Sequence, residues 1–351
     1  MTIRKLSLVN FRNYSQREFH FSPQINLIIG SNASGKTNLL EAIYLLAAGE
    51  SFRAQKNEAL IHWSQNYALV EAEIETNQLK IVLIKKDGQV RKEFWLNQVK
   101  KTRREFLTAF LAVVFRPEEI RVVTGSPARR RDFLDKVLAP LDWRYRRALL
   151  TYEKALRRRN KLLLAINQGE ANQAELFYWH QALAKNGEIV RQLREDFFTF
   201  VNQFLRQSQF SHLSYRYLAN PITLALLDQR LKEDLAQATT SCGPHRDDFV
   251  FLDQRIPAQE KDLALWGSRA QQRLAILALK LAQLAFVREK RREKPVLLLD
   301  DIFSELDHQG RDLVASLLEH YQIFLTATKK PAFFSQEKNI NLIKTTSVKD
   351  I

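Results

Sequence analysis

The feature of this 351-residue chain that most restricts its fold is a glycine-rich motif, Gly30-Ser31-Asn32-Ala33-Ser34-Gly35-Lys36-Thr37. It matches the pattern G-x-x-x-x-G-K-[ST], follows the apolar segment 25–29 and precedes the amphipathic segment 38–43. A strand, a tight loop and a helix in this order predict a P-loop, in which backbone N–H groups surround phosphate oxygens at the helix N-terminus. In such a loop the Lys contacts the β- and γ-phosphates and the Thr hydroxyl binds Mg²⁺. The motif therefore predicts a site for ATP and Mg²⁺.

A second acidic element lies towards the other end of the chain. Residues 296–299 are four consecutive apolar residues, typical of a buried strand, and Asp300 and Asp301 follow them directly. Asp300 is the expected ligand of the Mg²⁺ shell, and Asp301 is placed to orient the attacking water, a role more often filled by Glu. We interpret Lys36, Asp300 and Asp301 as the catalytic residues, and Thr37 and Asp300 as the metal ligands. Because the two motifs are far apart in sequence, a large segment must interrupt the nucleotide fold.

The hydrophobic pattern changes twice along the chain. Alternating segments in the first hundred residues predict strands, and Asp87-Gly88 predicts a hairpin turn. Three-four spacing over 145–166 and 176–204, with a short polar loop between them, predicts two antiparallel helices. The segments predicted after residue 221 are strands over 249–252, 296–299 and 323–326 and helices over 268–288 and 308–320.

Two more segments indicate the class of ATPase. Residues 267–273 precede the acidic strand and residues 304–307 follow it, at the positions of the signature motif and the D-loop in ABC-type ATPases. We therefore predict an α/β fold: an ABC-type P-loop ATPase head with mixed sheets, interrupted by an α-helical arm domain. The head comprises residues 1–115 and 237–351, and the arm comprises residues 116–236.

Charge indicates an anionic partner. The chain has 54 Lys and Arg against 39 Asp and Glu, a net charge of +15, which favours an acidic polymer or an anionic surface. Residues 100–161 contain 18 of the basic residues and 7 of the acidic ones. We predict that Arg129, Arg130 and Arg131 contact the phosphates of such a polymer, with Arg157 and Arg158 as reserve candidates. The alternative for any one such run is an ordinary solvated helix face.

The cysteine content, the lengths of the apolar runs and the segment around His245 restrict the kinds of site and the cellular location to expect. The single cysteine, Cys242, excludes an intrachain disulfide and a Cys-cluster zinc site. No apolar run is long enough for a membrane helix or a secretion signal, so we expect a cytoplasmic protein without a membrane partner. His245 lies beside Asp247 and Asp248, but with no second ligand at metal spacing we expect a structural hydrogen-bonding role there.

These motifs together resemble the RecF family of bacterial recombination mediators, which are SMC-like ATPases of ABC type. The resemblance spans the whole chain in order. It is carried by residues 8–14, the P-loop and its continuation to residue 44, Ser51-Phe52-Arg53, residues 117–135, residues 243–248 and residues 298–307.

The resemblance implies an ATP-dependent DNA-binding protein of recombinational repair and replication-fork maintenance, with a weak, DNA-stimulated ATPase that resets binding. It implies ATP-gated, head-to-head homodimerisation, in which Ser268 would contact the γ-phosphate bound to the opposite subunit and Asp307 would bridge the subunits. Arg12 would lie near the phosphates of its own subunit. The implied partners are duplex DNA and single-strand gap junctions, RecR, and RecO and RecA downstream, with RecA being loaded at gaps.

One departure from the family pattern concerns the signature segment. Ala270 stands where the family usually has Gly, and a β-carbon close to a phosphate would loosen the contact between subunits. Three alternatives stay open at this point: an ABC transporter ATPase subunit, a P-loop kinase acting on a small molecule, and a DNA-associated scaffold that binds ATP without hydrolysing it.

Overall fold

The computed structural model describes residues 1–255, 260–302, 320–330 and 340–345. Packing divides the chain into two compact units, Met1–Glu118 with Val287–Ile351, and Glu119–Phe286. Asp307 and nearly all of the helix predicted over 308–320 lie outside the described residues. Within the described ranges, no helix combines the length and the apolar character needed to cross a membrane.

The elements follow one another in three blocks. Up to residue 118 they are β1 (Ile3–Phe11), β2 (Tyr14–His20), β3 (Ile25–Ile29), α1 (Lys36–Ala48), β4 (Tyr67–Ile74), β5 (Asn77–Lys86), β6 (Gln89–Leu96), β7 (Val99–Lys101), α2 (Arg103–Phe106) and β8 (Ala112–Phe115). The middle block contains α3 (Ile120–Thr124), α4 (Pro127–Leu141), α5 (Trp143–Asn167), α6 (Leu176–Arg206), β9 (Leu213–Leu218), α7 (Leu224–Gln229), α8 (Leu231–Gln237), β10 (Asp248–Asp253), β11 (Lys261–Asp262) and α9 (Leu263–Trp266). The last block contains α10 (Arg269–Arg291), β12 (Val296–Leu299), β13 (Ile323–Ala327) and β14 (Ile340–Lys344).

A parallel sheet in the first unit carries the nucleotide motifs. Its strand order is β14-β3-β13-β12-β8, so strands from both ends of the chain combine in one sheet, as the sequence pattern predicts. Strand β12 is buried along its whole length, which explains its unbroken apolar sequence. Parallel strands end at a common edge, so the loop after β3 and the carboxylates after β12 meet there, with β13 between them.

The second sheet of this unit is antiparallel, in the order β2-β1-β4-β5-β6-β7. Alternate residues of its strands, such as Leu6, Val70 and Ile81, share one buried cluster with Leu39 and Ile43 of α1. The hairpin predicted at Asp87-Gly88 is confirmed, because these residues join β5 to β6 with φ values of 50° and 73°. Positive φ values at both central residues are typical of the type I′ turn, whose backbone twist matches that of the two strands it joins.

The second unit is built around the predicted helical hairpin, which α5 and α6 confirm. Its three-stranded sheet has the order β11-β10-β9, and Tyr215 on β9 donates a hydrogen bond to the carbonyl of Ala275 on α10 at 2.6 Å. Residues 237–286 therefore pack with the helices. The packing break falls at 286/287, whereas the sequence predicts a domain boundary at 236/237, and the assignment of head and arm stays a prediction.

Candidate nucleotide-binding site

The loop between β3 and α1 has the backbone shape that a P-loop requires. Ala33 and Gly35 have φ values of 65° and 100°, in the left-handed region. A β-carbon on Gly35 would lie 2.6 Å from the side-chain amide nitrogen of Asn13 and 2.8 Å from the hydroxyl of Tyr14. Glycine is therefore required at this position both by the lack of space and by the positive φ. Helix α1 begins at Lys36, and the N–H groups of a first helical turn lack helical partners and so suit an anion.

Lys36 is the cation of this loop. Its Nζ donates to the carbonyls of Gly30 at 2.8 Å and Ser31 at 2.9 Å. Burial lowers the pKa of Lys36, while Asp301 and Asp300 act in the opposite direction. An ammonium group has three donors, so one remains for a phosphate oxygen without rearrangement of the loop.

Asp300 lies at the centre of the predicted metal site. Its Oδ1 accepts hydrogen bonds from the hydroxyls of Thr37 at 2.9 Å and Thr326 at 2.8 Å. Its backbone N–H donates to Phe115 of the neighbouring strand β8 at 2.9 Å, which fixes its position. The side chain is buried, and this burial raises the pKa of its carboxyl, against the effect of the two hydroxyl donors.

These donors fit Mg²⁺. The oxygens of Thr37 and Asp300 are close enough to bind one ion, and a divalent cation would compensate the desolvated carboxylate. No cluster of three or more His, Cys, Asp or Glu side chains suited to a metal occurs in the described part of the chain. A site with so few protein ligands suits an ion that phosphate and water also coordinate.

Asp301 stands at the same sheet edge but differs from its neighbour. It is exposed, has a φ of 50°, and donates its backbone N–H to the hydroxyl of Thr326 at 2.9 Å. Unlike that of Asp300, its side chain is exposed, and its negative charge acts to raise the pKa of Lys36. The structure brings together Lys36, Thr37, Asp300 and Asp301, as the sequence predicts.

Arg12 and Arg53 are held beside α1 by a buried carboxylate that the sequence analysis missed. Glu41 accepts two hydrogen bonds from Arg12, from Nε at 2.7 Å and from Nη2 at 2.6 Å, and one from the hydroxyl of Ser51. Arg53 lies 3.6 Å from Glu41 and donates to Asn38 at 2.7 Å. The position of Glu41 on α1, four residues after Thr37, could not by itself reveal these partners.

A cleft of about 640 Å³ adjoins these residues. Its lining includes Arg12, Asn13, Asn38 and Arg53, and also the aromatic side chains of His62 and Trp63. Guanidinium and amide groups near the loop suit phosphates and ribose, and aromatic groups suit a base. The cleft therefore has room and chemistry for the nucleoside part of a nucleotide.

Thr345 is a second residue that sequence analysis missed. It follows β14, donates its N–H to Ile29 at 2.9 Å, and its hydroxyl lies 2.6 Å from that of Ser34. A β-carbon on Gly30 would come within 2.6 Å of Ser34 Oγ and of the Thr345 carbonyl. The first glycine of the motif is therefore required by close packing.

The signature segment belongs to the second unit. Ser268 and Ala270 are exposed, and α10 begins directly after Ser268. Ser268 and Gln271 cap this helix reciprocally: the hydroxyl accepts from Gln271 N at 3.3 Å, and Gln271 Oε1 accepts from Ser268 N at 2.9 Å. The contact across subunits stays a prediction.

The structure corrects part of the predicted DNA surface. Arg130 is buried and paired with Asp248, with Nη2 2.9 Å from Oδ2, and donates to the carbonyl of Gly125 at 2.8 Å. Arg131 donates to the carbonyl of Asp247 at 2.8 Å. Arg130 is therefore unavailable to DNA, because it ties α4 to the first residue of β10. Arg131 is partly used, because it ties α4 to the residue before that strand. Arg129, Arg157 and Arg158 are exposed, so their DNA contacts stay a prediction.

His245 has the structural hydrogen-bonding role that the sequence predicts. His245 lies 2.6 Å from the hydroxyl of Tyr152 and 3.1 Å from the carbonyl of Thr240. Because a carbonyl only accepts, Nε2 carries the proton and Nδ1 accepts from Tyr152. Asp247 accepts from Arg194 at 2.9 Å and from Tyr217. This motif joins α5, α6 and β9 and forms no metal cluster with other described residues.

The P-loop after β3, the acidic strand β12 and the parallel sheet that aligns them, with β13 between, define an ABC-type P-loop ATPase. The family model for the RecF/RecN/SMC N terminal domain matches residues 2–350. The chain is 36% identical to the DNA replication and repair protein RecF of Natranaerobius thermophilus, over 95% of this chain and 92% of the relative. It is 33% identical to RecF of Clostridium perfringens, over 93% of each chain. The chain belongs to the RecF family.

Solved structures agree with this assignment. The recombination mediator protein RecF in the RecFOR pathway, with ATP, superposes with a TM-score of 0.84 at 32% identity, covering 94% of this chain and 93% of the other. The same kind of protein with ATPrS gives a TM-score of 0.84 at 31% identity, covering 98% and 96%. An Smc head domain from Pyrococcus yayanosii shares the fold, with a TM-score of 0.50 at 16% identity over 93% of this chain and 92% of the other. These findings leave no support for the transporter and kinase alternatives.

Proposed function

We propose that this protein is an ATP-dependent DNA-binding protein of recombinational repair, in which ATP binding closes a homodimer on DNA and slow hydrolysis reopens it. The observation that carries the proposal is the meeting of Thr37, Asp300 and Thr326 at one sheet edge beside the P-loop. The names of the relatives, DNA replication and repair proteins, and the ATP in a solved RecF structure support it.

Each residue of the site has a role in this proposal. Lys36 and the first amides of α1 bind the phosphates, and Arg12 adds a guanidinium that Glu41 holds in place. Thr37 and Asp300 would hold Mg²⁺, which would neutralise charge on the phosphates. Asp301 is exposed at the same edge and would orient the attacking water.

In this proposal, ATP-dependent dimerisation controls DNA binding. We propose that Ser268 contacts the γ-phosphate bound to the opposite subunit and that Asp307 bridges the subunits. ATP bound between two such surfaces stabilises the closed state, and its hydrolysis removes that stabilisation. The proposed partners are duplex DNA and single-strand gap junctions, RecR, and RecO and RecA downstream, in a cytoplasmic setting.

Binding to a gapped duplex tests this function. We measure affinity without nucleotide, with ADP and with ATP and Mg²⁺, for the wild type and for Lys36→Ala. We expect strong binding only for the wild type with ATP, because Lys36→Ala removes the charge at the β- and γ-phosphates. Equal binding under all three conditions would refute ATP gating, and unchanged ATP affinity of Lys36→Ala would refute the P-loop assignment.

A further inference from the structure

Helix α5 carries a row of cations on one face. Four cations on α5 are exposed: Arg147, Lys154, Arg158 and Lys161. They follow one another at intervals of seven, four and three residues, which place them in one stripe along the helix. The opposite face is buried, as Tyr152 shows. We call these four residues the α5 basic stripe.

Among the residues that the structure describes, none neutralises the stripe. In the part of the chain that the structure describes, no carboxylate lies within ion-pairing distance of its four side chains, while neighbouring Arg157 lies 3.9 Å from Glu153. Like charges three or four residues apart, as in Lys154, Arg158 and Lys161, disfavour a helix. In such a helix the repulsion between neighbouring cations opposes helix stability. Features that oppose stability in this way are typical of functional surfaces.

The other helix of the hairpin provides the contrast. On α6, Arg191 donates to Glu188 and to Glu195, each at 2.7 Å. Gln192 donates to Asp196 at 2.9 Å. Arg191 is thus paired on both sides along α6, as on an ordinary solvated face, whereas none of the four cations of the α5 basic stripe forms an ion pair with a described residue.

The length of the stripe suits a nucleic-acid backbone. At a rise of about 1.5 Å per residue, Arg147 and Lys161 are separated by about 21 Å along the axis. One DNA strand advances about 3.4 Å per base pair, so the stripe extends along about six base pairs. Long, flexible cations in such a row contact phosphates without reading sequence.

We propose that the α5 basic stripe binds the sugar-phosphate backbone of duplex DNA. This rests on the proposed function and adds to it a contact surface on the helical hairpin. It also takes the place of Arg130, which is paired with Asp248, and adds to Arg131, which is partly engaged by the Asp247 carbonyl. The stripe should contribute affinity that depends on salt and does not depend on sequence.

The experiment compares two variants with equal loss of charge. One is Arg147→Gln/Lys154→Gln/Arg158→Gln/Lys161→Gln; the control, Lys136→Gln/Lys185→Gln/Arg206→Gln/Lys232→Gln, removes four exposed cations outside α5. Affinity for a duplex of random sequence is measured with ATP and Mg²⁺ at several salt concentrations. ATPase activity and circular dichroism verify that both variants are folded.

We expect the stripe variant to lose about 3.6 from the slope of log affinity against log salt, since each phosphate contact contributes about 0.9. The control should keep the wild-type slope. An unchanged slope in the stripe variant, or an equal loss in the control, would overturn the stripe while ATP-dependent binding by the wild type stands. If the wild type itself binds no DNA with ATP, the proposed function fails, and the stripe proposal fails with it.

Discussion

At the residue scale, Asp300 is the proposed Mg²⁺ ligand, and its buried charge lowers the free energy of unfolding. Burial raises the pKa of its carboxyl above the ordinary value, although Thr326 and Thr37 donate hydrogen bonds to it. Between the ordinary pKa and the raised one, the folded state binds more protons than the unfolded state. The free energy of unfolding therefore falls as pH rises through that window, and at neutral pH this carboxylate is destabilising unless a cation compensates it.

We predict that Asp300→Asn raises the melting temperature at pH 7 in the absence of Mg²⁺, because the amide has no charge to desolvate. The same variant should still bind ATP but lose turnover, since a carboxylate is required for Mg²⁺ placement. Scanning calorimetry and a phosphate-release assay measure both effects.

Asp301→Asn is the matched control for this prediction. Asp301 is exposed, so its replacement should change stability by less than about 0.5 kcal/mol. Turnover should fall about 100-fold or more if Asp301 orients the water. A melting temperature of Asp300→Asn below that of the wild type would contradict the assignment of a desolvated, metal-binding carboxylate.

At the element scale, a neutral histidine ties α5 to the segment before β10. Burial lowers the pKa of His245 to about 4, against the hydrogen bond to the Thr240 carbonyl, which acts in the opposite direction. The ordinary value is 6.5, so between pH 6.5 and about 4 the unfolded state binds more protons. The stabilising contribution of the neutral imidazole is therefore present above pH 6.5 and is lost as the pH falls towards 4.

We predict that the difference in unfolding free energy between the wild type and His245→Gln shrinks by about 1.4 kcal/mol per pH unit between pH 6 and the folded-state pKa of about 4, because glutamine does not titrate. Urea denaturation at several pH values measures this difference. Parallel curves for the wild type and His245→Gln would show that His245 is not held neutral.

At the scale of the whole molecule, the proposed mechanism depends on two copies closing around ATP. The residues at issue are Ser268 and Ala270, both exposed at the start of α10. Substitutions there should leave the core of the second unit intact. The N-terminal N–H groups of α10 would bind the γ-phosphate of the other copy, and a glycine at position 270 would allow the closest approach.

We predict that Ala270→Gly tightens the ATP-dependent dimer and that Ser268→Arg abolishes it by adding bulk at the contact. Sedimentation with ATP and Mg²⁺ measures both. Ser268→Ala is the control, because it removes the helix cap without adding bulk. It should cost about 1 kcal/mol of helix stability, so any larger effect of Ser268→Arg on dimerisation comes from the contact between subunits. Normal dimerisation of Ser268→Arg would mean that this segment lies outside the interface.

The sequence by itself determined the features that depend on local chemistry. The P-loop between β3 and α1, the apolar strand before Asp300, the turn at Asp87-Gly88 and the helices α5 and α6 follow from residue type and periodicity within short windows. Each is fixed by backbone geometry and by burial of one face, which neighbouring residues decide.

Only the tertiary structure decided which distant residues meet. Thr326 joins Asp300 because β13 lies between β3 and β12, and Thr345 reaches Ser34 because β14 pairs with β3. The burial of Arg130 on Asp248 turned a predicted DNA contact into an internal ion pair. Sequence shows the charge of an arginine but not whether a carboxylate more than a hundred residues away has already neutralised it, because strand order and helix packing create that proximity.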